Sequence, residues 1–455
     1  MIRRSCRNVI GRQLAPSALV LGLVLIPLLT GGGISGARAA QDKPTITQWF
    51  ETSFGAETPE CLVKNVVDPF NAKGGVQVKA TLQANNWDKT RTELAGGGGP
   101  DLIGTPGPSF AVELAKAGQL LPLDEFSTKF NWPESFIPWA LDLGKVDGKL
   151  YSLPNEVETP VLYYNKTLFE KNGWQPPKTL DELKALAKTI DDAGVIPFAH
   201  ANNEWRPANE WFVGEFLNHA AGPDKVYQAL TGKLKWTDPA FVDAINRLDE
   251  MQKNGWFMGG LDRYYTTKFD DSHAAFGDGD AAMNIEGSWF LNDIDQFFGK
   301  EAGNDNEWAW VPMPSMDGTA IFDLGIGSTT SINKNTKNPD AVAEYLNYLY
   351  SPEVQATMRT KCGVATAPVK IPAEALKELD PRVIDILGSV NKAAEANNYG
   401  YTTWVFWPPK TETYLIETIE KVWAGDMTAE EYLAGMQKIF DQEVAAHAVP
   451  PIPPR

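Results

Sequence analysis

Cysteine and histidine are scarce in this sequence, with three Cys and four His among 455 residues. No H-E-x-x-H pair of metal ligands occurs, and the D-G-D stretch at 278–280 lacks the third loop acid of a calcium-binding EF-hand. Also missing are the G-x-x-x-x-G-K-[ST] loop that cradles nucleotide phosphates and the G-x-S-x-G turn of serine hydrolases. We therefore expect a protein that is not an enzyme, with no cofactor and no metal.

Basic residues are also in short supply. Lys and Arg total 41 against 58 Asp and Glu, for a net charge of −17. Such a chain is a poor partner for nucleic acid and for anionic membrane surfaces. After the first forty residues no apolar run approaches the ~18 residues of a membrane-spanning helix, so no membrane insertion is expected.

The first 39 residues have the pattern of a cleavable signal peptide. Four arginines precede an apolar run at 18–29, and Ala37-Arg38-Ala39 supplies the small residues of a cleavage site. Cleavage after Ala39 would export the protein, and a bacterial periplasm is the expected location. Cys61 and Cys362 remain in the exported chain, where both a disulfide and two free thiols stay open.

Aromatic residues, in contrast, are abundant: 15 Trp, 13 Tyr and 21 Phe. Core packing explains most of them, but a surplus of Trp is also what a carbohydrate site needs, because sugar rings stack on flat apolar faces.

Strands and helices alternate at the start of the exported chain. Alternating and β-branched segments predict strands at 45–50, 76–82 and 101–105, and apolar periodicity predicts helices at 59–72 and 86–99. This order is typical of βαβ units with a largely parallel sheet. A second series is predicted further along, with strands near 161–164, 196–200, 281–285 and 324–332, a helix at 179–194, and mostly helices after 338.

Four segments, in order, resemble the family 1 extracellular solute-binding proteins that serve ABC sugar importers, most of all their maltose-binding group. These are "GGGGPDLI", "DGKLYSLPNEVETPVLYYNKTLFEKNGWQPPKTLDEL", "FGDGDAAMNIEGSW" and "GIGSTTSINKNTKNPDAVAEYLNYLYSPEVQ". The resemblance implies an α/β, two-lobe periplasmic binding protein type II fold with discontinuous lobes and a ligand cleft between them. It places the first lobe at about 41–156 plus 322–366 and the second at about 157–321 plus 367–455.

A sugar needs aromatic planes for its faces and polar side chains for its hydroxyls. Trp, Glu, Asn and Asp at strand ends and at the predicted crossings between lobes are therefore candidates, because a cleft would lie there. Trp289 is also the position that resembles the family's stacking Trp. The predicted ligand contacts are Trp49, Glu51, Asn86, Trp87, Thr105, Glu156, Glu158, Trp205, Arg206, Glu286, Trp289, Asp323, Gly325, Trp404 and Trp407.

The resemblance implies a monomer that binds a mono- or oligosaccharide and delivers it to the permease subunits of an ABC transporter. Two alternatives stay open. The same fold could bind a polyol, a polyamine or a peptide, since the predicted site is rich in Glu. The paired acids Glu156 and Glu158 could instead belong to a secreted glycoside hydrolase, which uses two carboxylates.

Overall fold

The computed structural model describes residues 43–52, 56–371, 379–453 and 455; the predicted signal peptide, 1–39, lies outside them. The strands of the described chain are β1 (Thr45–Glu51), β2 (Gln77–Gln83), β3 (Leu102–Thr105), β4 (Lys145–Val146), β5 (Lys149–Leu150), β6 (Ser152–Pro154), β7 (Val157–Glu158), β8 (Pro160–Asn165), β9 (Ile196–Phe198), β10 (Ala281–Gly287), β11 (Trp308–Val311), β12 (Phe322–Ile326), β13 (Thr329–Ile332) and β14 (Tyr399–Tyr401).

Helices make up most of the remaining described chain. They are α1 (Glu57–Leu62), α2 (Asp68–Ala72), α3 (Asn86–Ala95), α4 (Pro108–Lys116), α5 (Asp124–Lys129), α6 (Trp132–Ser135), α7 (Pro138–Asp142), α8 (Lys166–Asn172), α9 (Leu180–Asp192), α10 (Asn209–Ala221), α11 (Pro223–Leu230), α12 (Pro239–Lys253), α13 (Leu261–Tyr264), α14 (Phe269–Asp278), α15 (Pro339–Leu349), α16 (Pro352–Cys362), α17 (Pro381–Glu395), α18 (Thr403–Phe406), α19 (Pro409–Trp423) and α20 (Ala429–Ala445). A π-helical turn, Val63–Val67, joins α1 to α2.

Local sequence explains several of these boundaries. The helix predicted at 179–194 begins where predicted because Thr179 and Glu182 form a reciprocal capping box at the start of α9. The strands and helices predicted between 45 and 105 are confirmed, with ends that differ by a few residues. None of the helices in the described part of the chain is long and apolar enough to cross a membrane.

The first lobe is built on a five-stranded sheet in the order β2-β1-β3-β13-β6. β1 is parallel to β2 and β3, as the βαβ pattern predicts, while β13 is antiparallel to β3 and β6. Its core gathers apolar residues that are far apart in the chain, including Ile46, Leu102 and Ile332.

The second lobe is built on a four-stranded sheet in the order β11-β8-β10-β9 and a larger core. A third sheet, in the order β14-β12-β7, packs into the same core through Phe322, Leu324 and Ile326. The predicted first lobe includes residues 322–366, yet β12 packs in the second core, so a boundary after Ile326 fits the packing better.

The single strand predicted at 324–332 is wrong, because the structure has two strands, β12 and β13, separated by Gly327-Ser328. β12 pairs with β7 and β14, whereas β13 pairs with β3 and β6 of the first sheet. The chain changes sheets at this break, and strand propensity alone cannot show that change. β7 follows β6 of the first sheet and precedes β8 of the second sheet. It pairs with β12 in an antiparallel manner, so the β7–β12 pair lies where the two lobes join.

Cys61 in α1 and Cys362 at the end of α16 form a disulfide in the structure, with Cα atoms 5.6 Å apart. Both cysteines lie in helices beside the first sheet, 301 residues apart in sequence.

Candidate functional site

The end of β1 and the start of α3 form one side of the candidate site. The Glu51 carboxylate accepts a hydrogen bond of 2.7 Å from the backbone N–H of Asn86 at the first turn of α3. The Asn86 amide donates to the carbonyl of Trp49 at 3.3 Å. Glu51 and Asn86 therefore fix the start of α3. Trp87, the second residue of that helix, has a partly exposed ring.

Trp87 faces a Trp from the second lobe. Its ring centroid lies 6.3 Å from that of Trp205, with the planes at 66°, an edge-to-face arrangement. Arg206, the next residue, is engaged elsewhere: its guanidinium donates to both carboxylate oxygens of Glu420, at 2.8 and 2.7 Å. This surface ion pair argues against the predicted ligand role of Arg206.

Three further Trp rings pack together on the second lobe. Trp289 lies between Trp211, at 4.7 Å between ring centroids, and Trp404, at 5.8 Å. All three side chains are partly exposed, so apolar ring surface remains open to a ligand. The structure thus brings Trp289 and Trp404 together, although 114 intervening residues separate them in the sequence.

Glu286 holds Trp289 in position. The indole N–H of Trp289 donates to Glu286 Oε1 at 2.7 Å, and Glu286 Oε2 lies 3.4 Å from His200 Nδ1 and 3.6 Å from His273 Nε2. Burial by itself raises the pKa of Glu286, but hydrogen bonds and charge interactions with the two histidines outweigh it and lower the pKa to about 2. The carboxylate therefore stays ionised at physiological pH.

Gly287 allows the Trp289 ring to fold back over the backbone. A Cβ atom on Gly287 would lie 2.1 Å from Trp289 Cζ3, far inside van der Waals contact. The glycine that ends β10 is therefore required for this ring position.

Two acids, Glu156 and Glu158, lie at the join between the lobes. Ser328 Oγ donates to Glu156 Oε1 at 3.0 Å, and a Cβ on Gly327 would lie only 1.9 Å from Glu158 Oε1. Burial raises the pKa of both carboxyls, and the charge of Glu156 raises the pKa of Glu158 further. These acids thus hold protons more readily than exposed glutamates.

Trp404 links this join to the first lobe. Its carbonyl accepts from Ser109 Oγ on α4 at 3.2 Å, and Cζ2 of its ring lies 3.0 Å from the position of a Cβ on Gly325. Gly325 therefore borders the aromatic cluster, and its contact with ligand stays a prediction. Glu158 pairs with Gly325 in register, so the acids lie next to the Trp cluster.

Three predicted contacts lie in the interior. Trp407 is fully buried and packs against Trp236 at 5.2 Å, and Thr105 is fully buried with its hydroxyl 2.6 Å from that of Thr329. Asp323 is 1% exposed and lies beside His219. Burial places these side chains out of reach of a ligand at the surface of the cluster.

His200 and His273 are not among the predicted contacts. Trp211 was predicted to contact the ligand from a loop shared with Trp205 and Arg206, but it lies in the first turn of α10. His200 ends the segment predicted as a strand at 196–200, and this strand-end position was the available signal. His273 lies on α14 and gives no comparable signal, because only the fold brings it to Glu286.

The chain matches the family model described as bacterial extracellular solute-binding protein over residues 65–382, more than half of its length. The chain therefore belongs to the bacterial extracellular solute-binding proteins. This result also agrees with the two-lobe α/β fold.

Individual relatives are distant but match along most of the chain. An ABC transporter extracellular-binding protein of Pyrococcus horikoshii is 24% identical and covers 83% of this chain and 86% of its own length. The diacetylchitobiose-binding protein NgcE of Streptomyces coelicolor is 26% identical, over 81% of this chain and 78% of its own. Among solved structures, a chitin oligosaccharide binding protein has a TM-score of 0.74 at 23% identity, covering 89% of this chain and all of its own. That likeness confirms the predicted two-lobe fold.

Proposed function

We propose that this protein is the periplasmic substrate-binding component of an ABC importer and binds a mono- or oligosaccharide between its lobes. The observation that carries the proposal is five partly exposed Trp rings in two sets, a pair and a triplet whose central ring donates to the Glu286 carboxylate. The rings are Trp87, Trp205, Trp211, Trp289 and Trp404.

This arrangement suits the two kinds of surface on a sugar. The C–H faces of the ring stack on aromatic planes, and the hydroxyls at its edge donate hydrogen bonds to carboxylates. Glu158 and Glu156 would accept such bonds where the lobes join, at the base of the aromatic groups. The names of NgcE and of the chitin oligosaccharide binding protein support a carbohydrate ligand.

The proposal includes binding without chemistry. Glu286 is ionised and accepts from the indole of Trp289, so it serves as a positioning group. Glu156, which accepts from Ser328, and Glu158 are proposed as hydrogen-bond acceptors for the sugar. A general acid and base would need freedom to transfer protons to a glycosidic oxygen and a water.

We further propose that the lobes close over the ligand about the β7–β12 pair. A sugar that contacts both lobes binds the closed form more tightly and shifts the population toward it. The proposed division assigns about 41–156 and 327–366 to the first lobe and about 157–326 and 367–455 to the second. The closed monomer would then dock on the permease subunits after removal of residues 1–39. Small-angle scattering would show a smaller radius of gyration with ligand.

A thermal-shift screen tests the ligand class. The panel should contain diacetylchitobiose, maltose, xylobiose, single sugars, polyols, glycerol 3-phosphate, spermidine and short peptides. A sugar at about 100 times its dissociation constant stabilises the folded state by roughly 2.7 kcal/mol.

Each outcome of the screen has a clear reading. Stabilisation by sugars, with the sugar recovered chemically unchanged, supports the proposal. Stabilisation by spermidine or peptides alone would replace the sugar with another solute. Release of cleaved sugar from diacetylchitobiose or maltose would contradict binding without chemistry.

A further inference from the structure

Three side chains of the second lobe converge in its interior: Glu215, His219 and Asp323. Glu215 and His219 are four residues apart on α10, so they share one face of the helix. His219 Nε2 lies 3.3 Å from Glu215 Oε2 and 3.5 Å from Asp323 Oδ1, with every side chain at most 2% exposed. One ligand atom from each residue lies within 4.8 Å of the other two.

Five of the six side-chain nitrogen and oxygen atoms of this cluster have no hydrogen-bond partner within the described ranges of the chain. These atoms are Glu215 Oε2, both ring nitrogens of His219 and both carboxylate oxygens of Asp323. Burying an ionised group without a partner costs several kcal/mol, so interior carboxylates are normally paired or bind a metal. The cluster thus differs from Glu286, whose carboxylate accepts from the indole of Trp289.

The spacing and the donor types indicate which ion would fit. Zinc bonds to imidazole nitrogen and to carboxylate oxygen are both about 2.0–2.2 Å, and the edge of a tetrahedron with such bonds is about 3.3–3.5 Å. The two distances from His219 match that edge. One imidazole with two carboxylates suits zinc better than calcium or magnesium, which prefer oxygen alone.

Gly400, which has no side chain, leaves room for the Asp323 carboxylate of the cluster. Gly400 of β14 pairs with Asp323 of β12, and a Cβ on Gly400 would lie 1.7 Å from Asp323 Oδ1. Any other residue at this position would collide with the carboxylate.

We propose that Glu215, His219 and Asp323 bind a divalent transition-metal ion of the zinc type, which ties α10 to β12 and stabilises the second lobe. The site is separate from the proposed sugar contacts, although Asp323 was expected from the sequence to be one of them. Its role is structural, because it lies in the interior between α10 and the third sheet.

The test uses the exported chain, 40–455, after removal of any His-tag. The protein is unfolded in guanidinium with a chelator, refolded with or without micromolar Zn²⁺, and freed of unbound metal before its zinc content is measured. We expect about one zinc per chain, in line with a site that binds as it folds. At about 100 times the dissociation constant, zinc should raise the melting temperature by about 3 °C for a chain of this length. Refolding with Co²⁺ should give the visible absorption of a tetrahedral site.

Variants locate the metal. Asp323→Asn and His219→Gln should lower bound zinc to below about a tenth of an equivalent. The matched control is His447→Gln, which removes an exposed imidazole and should keep one equivalent. Circular dichroism checks that each variant folds. The zinc content and Co²⁺ spectrum of the unmodified chain decide the question even if a variant does not fold.

Three results would overturn the proposal. If the unmodified chain retains neither Zn²⁺ nor Co²⁺, the two carboxyls share a proton instead. If folded Asp323→Asn and His219→Gln retain a full equivalent, the metal binds elsewhere. If only His447→Gln loses it, the binding is adventitious.

Discussion

In the structure the Trp289 ring has two roles: it presents an apolar face to the ligand and donates a hydrogen bond to Glu286. Two replacements of Trp289, compared with each other, separate these roles. Trp289→Ala removes both. An aromatic anchor of this kind is worth about 1–3 kcal/mol of binding free energy, so the dissociation constant should rise roughly 5- to 150-fold. Trp289→Phe keeps a ring but removes the N–H that lies 2.7 Å from Glu286 Oε1.

The phenylalanine variant should therefore lose stability more than affinity. A hydrogen bond to a charged group contributes about 1.5–3 kcal/mol, and without it the free energy of unfolding should fall by that order. The pKa of Glu286, about 2 in the native protein, should rise because the ionised form has lost a donor. Calorimetric titration with the sugar found in the thermal-shift screen measures affinity, and urea unfolding measures stability.

Trp407→Phe is the matched control for these variants. Trp407 is fully buried against Trp236, so its replacement should lower stability through lost packing and leave the affinity for sugar unchanged. The reasoning is refuted if Trp289→Ala binds the sugar within about twofold of the native protein, or if Trp407→Phe weakens binding as much as Trp289→Ala does.

Three further predictions concern the join between the lobes and the disulfide. Burial raises the pKa of Glu158 above its ordinary value of 4.5, so the stability linked to its neutral form is present below that value and is lost as pH rises through the folded pKa. Glu158→Gln should remove this loss in urea unfolding between pH 4 and 8, and parallel curves for the two proteins would contradict it. Gly327→Ala should weaken sugar binding in titration because its Cβ would meet Glu158 Oε1 at 1.9 Å; unchanged affinity would show that the carboxylate moves freely. The pairing of Cys61 with Cys362 predicts no free thiol in the unfolded, unreduced exported chain, and two free thiols would exclude the bond. Replacing both, Cys61→Ser with Cys362→Ser, should lower the free energy of unfolding by about 6 kcal/mol in the chain-entropy model.

Local sequence was enough to predict the three parallel strands of the first lobe, β1 to β3, and the helical segments between them. The strands and helices between 45 and 105 follow from apolar periodicity and from glycine and proline at their ends, which act over a few residues. The position of Trp289 after a buried strand and two residues beyond a glycine was readable in the same way. Its neighbour Glu286 also lies in this segment, so their hydrogen bond spans only three positions.

Tertiary structure decided which side chains face each other across long stretches of sequence. Arg206 was expected in the site, but its partner Glu420 lies 214 residues away. Trp407 was expected to meet ligand, but the core around Trp236 encloses it. Asp323 was expected to bind sugar, but the pairing of β12 with β14 and the position of α10 set it beside His219. In each case the side chain's direction depends on how separate elements pack, and the residues beside it in sequence carry no record of that contact.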